Sequence, residues 1–129
     1  MKLCVYDEFG SLNSKPVFEA FKKGVLASGD TLVSSYEEAD AVVIWSILFS
    51  GRMRQNKHIW DRASVDEKPV IVLEVGALQR DTTWKMGIGG INADAKWCEP
   101  YDTDRPRKLG LRIDPAPTTG EFITICTQR

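Results

Sequence analysis

Polar side chains with useful chemistry stand directly after four apolar runs of this chain. Asp7 and Glu8 follow Leu3-Cys4-Val5-Tyr6, and the stretch from Ser46 to Arg52 follows Ala41-Val42-Val43-Ile44-Trp45. Glu74 and then Arg80 follow Val70-Ile71-Val72-Leu73, and Gln128 follows Phe122-Ile123-Thr124-Ile125-Cys126. A carboxylate at the end of an apolar strand can take a proton or bind a sugar hydroxyl, and Glu74 is the candidate for that task. The planar guanidinium forks of Arg52 and Arg80 suit phosphate. Each residue also has a plainer role: Glu74 as a solvated strand end or a partner of Arg80, the arginines as surface ion-pair groups. His58 is the single histidine, with Arg54 and Arg62 four residues to either side, and reads as an exposed helix residue rather than a catalytic one.

The elements that must position these groups can be read from periodicity. The runs 3–6, 41–45 and 70–73 are almost wholly apolar, the signature of strands buried on both faces of a parallel sheet. Residues 31–34 make a weaker strand. Between the first two strands, Ser14 and Pro16 mark a helix start. Val17, Phe18, Phe21, Val25 and Leu26 follow at helical spacing, and Gly29 ends the helix. A second helix is expected from about residue 56 to 65, with Ile59 and Ala63 on one face. Strands alternating with helices imply βαβ units in an α/β, doubly wound, mostly parallel, Rossmann-like sheet of about five strands. Ligands of such sheets sit beyond the carboxyl ends of the strands, where Asp7, Glu8, Ser46, Arg52, Glu74, Arg80 and Gln128 lie.

From 76 to 121 the pattern changes. Six of the ten glycines and four of the six prolines fall there, which predicts a long irregular Gly/Pro-rich insertion with short strands before a last strand at 122–126. Within it Gly87-Ile88-Gly89-Gly90-Ile91-Asn92 invites comparison with a phosphate loop, but it lacks both the GxGxxG and the GxxxxGK[ST] spacing and does not join the first strand to its helix. Its glycines fit a tight turn better. Trp84 and Trp97 flank this segment; aromatic rings there either stack on a sugar or base, or pack into the core.

Bulk composition narrows the classes. At 129 residues, 43% hydrophobic and 27% charged, the chain suits one globular domain, 1–129. Seventeen basic and 18 acidic residues leave a net charge of −1, so no global field draws it to nucleic acid. No apolar run approaches the ~20 residues of a membrane helix, and Asp7 interrupts the amino terminus too early for a signal peptide. A cytoplasmic location and no membrane partner are therefore expected. Cys4, Cys98 and Cys126 form no CxxC and are read as buried free thiols, with no metal site.

Two α/β families fail at the strand ends. Response-regulator receivers share an acidic pair like Asp7-Glu8 but need an aspartate where Trp45-Ser46 stands. Flavodoxins need a Ser/Thr-rich phosphate loop, which residues 9–14 match poorly. A third survives. WSILFSGRMRQN (45–56), PVIVLEVGALQRDTTWKMGIGGIN (69–92) and FITICTQ (122–128) resemble a bacteriophage and capsule-locus family described as glycosyltransferase-like. The similarity covers about half the chain, and Thr127 replaces the family's glycine in the last motif. The resemblance implies the amino-terminal, Rossmann-like half of a two-domain GT-B-like transferase, with a nucleotide-sugar as co-substrate and a DNA base or saccharide as acceptor. Glu74, Arg80, Gly90, Asn92 and Gln128 are the matching positions, which adds Asn92 to the substrate-binding candidates. No other cofactor is expected. The alternative is a non-catalytic Rossmann-like module that binds a nucleotide, a nucleic acid or a protein partner.

Overall fold

The computed structural model describes residues 1–76, 82–96, 104–112 and 115. The chain divides into two compact units, Met1–Trp97 and Cys98–Arg129. In the second, the described residues form one short helix, Arg105–Lys108, after Asp104, which pairs with Arg107 at 3.0 Å. The expected strand at 122–126, together with Arg80, Trp97, Cys98, Cys126 and Gln128, lies outside the described residues.

The first unit is a mixed, five-stranded sheet with helices. Its strands are β1 (Lys2–Val5), β2 (Thr31–Val33), β3 (Ala41–Trp45), β4 (Val70–Val75) and β5 (Trp84–Ile88); its helices are α1 (Lys15–Ala27) and α2 (Asn56–Val65). The strand order is β2-β1-β3-β4-β5. The first four strands are parallel, with Leu3 opposite Leu32, Cys4 opposite Val42 and Val43 opposite Ile71. β5 is antiparallel to β4, with Leu73 opposite Met86.

β3 is the centre of the unit because all five of its residues are buried. Successive side chains point to opposite faces. Ala41, Val43 and Trp45 therefore join Leu3, Leu73 and the Val17, Phe18 and Val25 stripe of α1. Val42 and Ile44 join Cys4, Val70, Val72 and the Ile59 and Ala63 stripe of α2. The two helices thus cover opposite faces of one sheet. Each fully buried aliphatic side chain contributes ~1.5–3 kcal/mol relative to exposure, so β3 anchors both layers. Cys4 is a buried free thiol, as expected.

The connection from β2 to β3 is pinned to α2 by Tyr36. Its hydroxyl donates to Asp66 Oδ2 at 2.8 Å, while the Arg62 guanidinium and the Lys68 ammonium lie 3.8 and 4.1 Å from its ring centre. Burial and the bond to Asp66 push the Tyr36 hydroxyl up to about 12.

β5 falls inside the stretch expected to be mostly irregular, and it occupies the fifth place in the sheet. Trp84, Met86 and Ile88 alternate with Lys85 and Gly87, a period-2 pattern that its glycine obscures. Gly87 is required by close approach: a Cβ there would stand 2.4 Å from the Gly90 carbonyl oxygen and 2.8 Å from Ala95 Cβ. The chain turns through Gly89 and Gly90 and folds back across β5, burying Ile91 and Ala95. The glycines of 87–92 therefore serve a turn and a close crossing.

Two stability predictions follow from this packing. Val43→Asp places a carboxylate in a fully buried site and should leave no cooperative thermal transition; Ile71→Asp, at a half-buried position, should destabilise by less. Gly87→Ala should lower stability by about 1–3 kcal/mol through overpacking, whereas Gly24→Ala, in the open middle of α1, should raise it by about 0.5–1 kcal/mol. Chemical denaturation of the four variants checks both.

Candidate functional site

After β1 the chain runs through α1 to β2 on one side of β1, then crosses to β3 on the other. The connections that leave the paired carboxyl ends of β1 and β3 therefore go to opposite faces of the sheet, and a crevice opens where they part. Three local structures build its walls. Asp7–Phe9 forms a 3₁₀ turn off β1, residues 10–14 lead into α1, and Gly51–Gln55 forms a second 3₁₀ turn off the loop after β3.

The loop before α1 lies close against the helix because Gly10 carries no side chain; a Cβ there would stand 2.1 Å from Ser14 Oγ. Ser14 is buried at the helix start, its hydroxyl donating to the Ser11 carbonyl at 2.8 Å. The result is an open cleft of about 320 Å³, lined by Asp7, Glu8, Ser11, Leu12, Lys15 and Arg52 among others. Glu8, Lys15 and Arg52 are exposed, and neither Lys15 nor Arg52 makes an ion pair among the described residues. Asp7 is paired with Lys22 of α1, and that bond raises the Lys22 ammonium above its usual range. Tyr6, at the end of β1, stacks on Phe9 at 6.4 Å; burial raises its hydroxyl far above the ordinary phenol range, so it stays neutral.

Asn56 joins the two lips. It is wholly buried, and its Nδ2 donates to the Trp45 carbonyl at 2.6 Å and to the Phe9 carbonyl at 3.4 Å. One side chain thus ties the end of β3 to the turn after β1. Its Oδ1 is buried and has no hydrogen-bond partner among the described residues. Sequence reasoning used Asn56 only to mark a helix start; an asparagine at a loop-helix junction, a residue type that readily bonds nearby backbone, was the available signal.

The structure brings together Asp7, Glu8 and Arg52 and adds Lys15, which sequence reasoning passed over. It does not gather Ser46, Glu74 or Asn92 with them, and Arg80 and Gln128 lie outside the described residues. Ser46 is buried with φ 62°; its N–H donates to the Leu73 carbonyl at 2.8 Å and its Oγ accepts from Leu48 N at 3.2 Å. Glu74 is half-buried on the α2 face, opposite Lys85 of β5, with Oε1 accepting from Val75 N at 2.8 Å. Asn92 is exposed beside β5 and accepts from Lys85 Nζ at 2.9 Å. None of these three lines the cleft. His58 is exposed on α2, as expected, and Trp84 packs edge-on against Trp45 at 6.2 Å. Among the described residues no group of three or more His, Cys, Asp or Glu side chains is placed to hold a metal ion. No helix among them is long and apolar enough to cross a membrane.

The cleft can accept hydrogens from hydroxyl groups at Asp7 and Glu8, and donate to an anion from Lys15 and Arg52. No family model, curated protein or solved structure matches the chain. Asn56→Ala should cost about 1–3 kcal/mol, because it strips the buried Trp45 carbonyl and the part-buried Phe9 carbonyl of their donor. Loss of that stability in urea, with an otherwise native circular dichroism spectrum, is the expected result.

Proposed function

We propose that this chain binds a nucleotide sugar in the cleft between the ends of β1 and β3, and that it serves a glycosyltransferase-like reaction. The observation that carries the reading is the pairing, in one cleft at the point where the strand order reverses, of an exposed carboxylate with two cations that make no ion pair among the described residues. Lys15 and Arg52 suit a diphosphate; Glu8 and Asp7 suit the hydroxyls of a ribose or hexose. A doubly wound, Rossmann-like classification is supported by the strand order and by helices on opposite faces of the sheet. In the reaction, an acceptor hydroxyl on a saccharide or a modified DNA base would attack the anomeric carbon. The bond from that carbon to the diphosphate oxygen would break, a carboxylate would take the hydroxyl proton, and the nucleoside diphosphate would leave. Glu8 is the carboxylate of the cleft free to act as that base; Glu74 stands outside it.

That position of Glu74 favours one second reading: a binding module whose cleft holds a nucleotide or nucleic acid without transfer chemistry. A thermal-shift series separates the two. A ligand at about one hundred times its Kd adds about 2.7 kcal/mol, read as a rise of several degrees in Tm. Uridine- and guanosine-diphosphate sugars should raise Tm, Arg52→Ala and Lys15→Ala should remove the rise, and Glu74→Gln should leave it intact. A rise with free nucleotides or duplex DNA alone would leave the module. No rise with any nucleotide sugar, or one unchanged in both cation variants, would sink the proposal.

A further inference from the structure

At the other end of the sheet the α2 face carries a second cavity, more apolar than the cleft and about 460 Å³ in volume. Its floor is Trp60 and Ala63 of α2 and Val70 at the start of β4, and the end of β5 at Ile88 and Gly89 closes one edge. Topology creates it. A parallel fifth strand would need a crossover that lays a helix over this strip, but β4 returns directly into antiparallel β5. The 3₁₀ turn Asn92–Asp94 and the buried Ile91 and Ala95 cover part of β5, and α2 covers β3. α2 then ends abruptly: Glu67 takes a left-handed φ of 53° and Lys68 N bonds back to the Ala63 carbonyl at 2.8 Å. The strip between α2 and the turn stays open.

Among the described residues the charged groups at the mouth are Glu67, Lys68 and Lys96. Lys68 Nζ donates to the Tyr36 carbonyl at 2.5 Å, a neutral partner that leaves its charge in place. Lys96 is exposed and makes no ion pair among the described residues. Two cations against one anion give the mouth a net positive charge. Volume, apolar lining and few polar groups are those of a small-molecule site. We propose that this cavity binds a small amphipathic anion, with a flat apolar body against Trp60, Ala63 and Val70 and its acidic head at Lys96. The site is separate from the β1/β3 cleft and does not depend on the function proposed for it.

Two probes with the same body test it: 8-anilinonaphthalene-1-sulfonate and its uncharged counterpart N-phenyl-1-naphthylamine. The sulfonate should bind the native protein with one-to-one stoichiometry, raise Tm and quench tryptophan emission. Lys96→Glu should weaken the sulfonate by about fivefold and leave the uncharged probe unchanged. Ser64→Trp, on the exposed rim, should block both, with circular dichroism to verify folding; if that variant does not fold, the two-probe comparison in Lys96→Glu decides alone. Binding of several sulfonates per chain, a fall in Tm, or equal weakening of both probes by Lys96→Glu would overturn the proposal.

Discussion

Everything in the first unit depends on burying β3 on both of its faces. Ala41–Trp45 has no polar side chain to offer water, so each face needs its own apolar layer. α1 supplies one through Val17, Phe18 and Val25, and α2 supplies the other through Ile59 and Ala63. A strand with one solvated face would have needed only one helix. The two-sided requirement forces the chain to cross from one side of β1 to the other, and that crossing opens the crevice where the candidate site lies. The cleft follows from how the core is covered.

A crevice between diverging connections must still be held at a fixed width. Here that work falls to backbone contacts made possible by small or buried polar side chains. Gly10 lets the loop reach the start of α1, and buried Asn56 donates to carbonyls from both lips. Charged groups then stand on a rim whose backbone is held by packing and buried hydrogen bonds, the supporting contacts that a site needs. Asp7 shows the balance: its charge is spent on Lys22 of α1, tying the turn to the helix, while Glu8 beside it faces solvent.

The antiparallel β5 has the opposite consequence at the other end of the sheet. Direct return from β4 saves a crossover but leaves an apolar strip with only a short turn over it. Gly87 admits the returning chain, and Lys96 comes to the edge of the opening that remains. One change of strand direction thus accounts for both the close crossing and the cavity.

Local pattern determined a good part of this protein. Continuous apolar runs marked β1, β3 and β4, and helical spacing from Pro16 to Leu26 and around Ile59 and Ala63 marked α1 and α2, because burial on both faces or on one stripe leaves a periodic trace in the residues themselves. The same logic placed Asp7, Glu8 and Arg52 at strand ends. β5 left a weak trace, since the glycine that lets another segment cross it also breaks its alternation. Which strand-end residues share a cleft was a matter for tertiary structure alone. Ser46 and Glu74 occupy strand ends as well, yet the parity of the pleat and a left-handed backbone turn Ser46 inward and send Glu74 to the α2 face. Lys15 and Asn56 entered the site only through the packing of their helix starts against β1 and β3. Periodicity reports burial one element at a time; proximity between elements arises from crossings and close approaches that no single segment encodes.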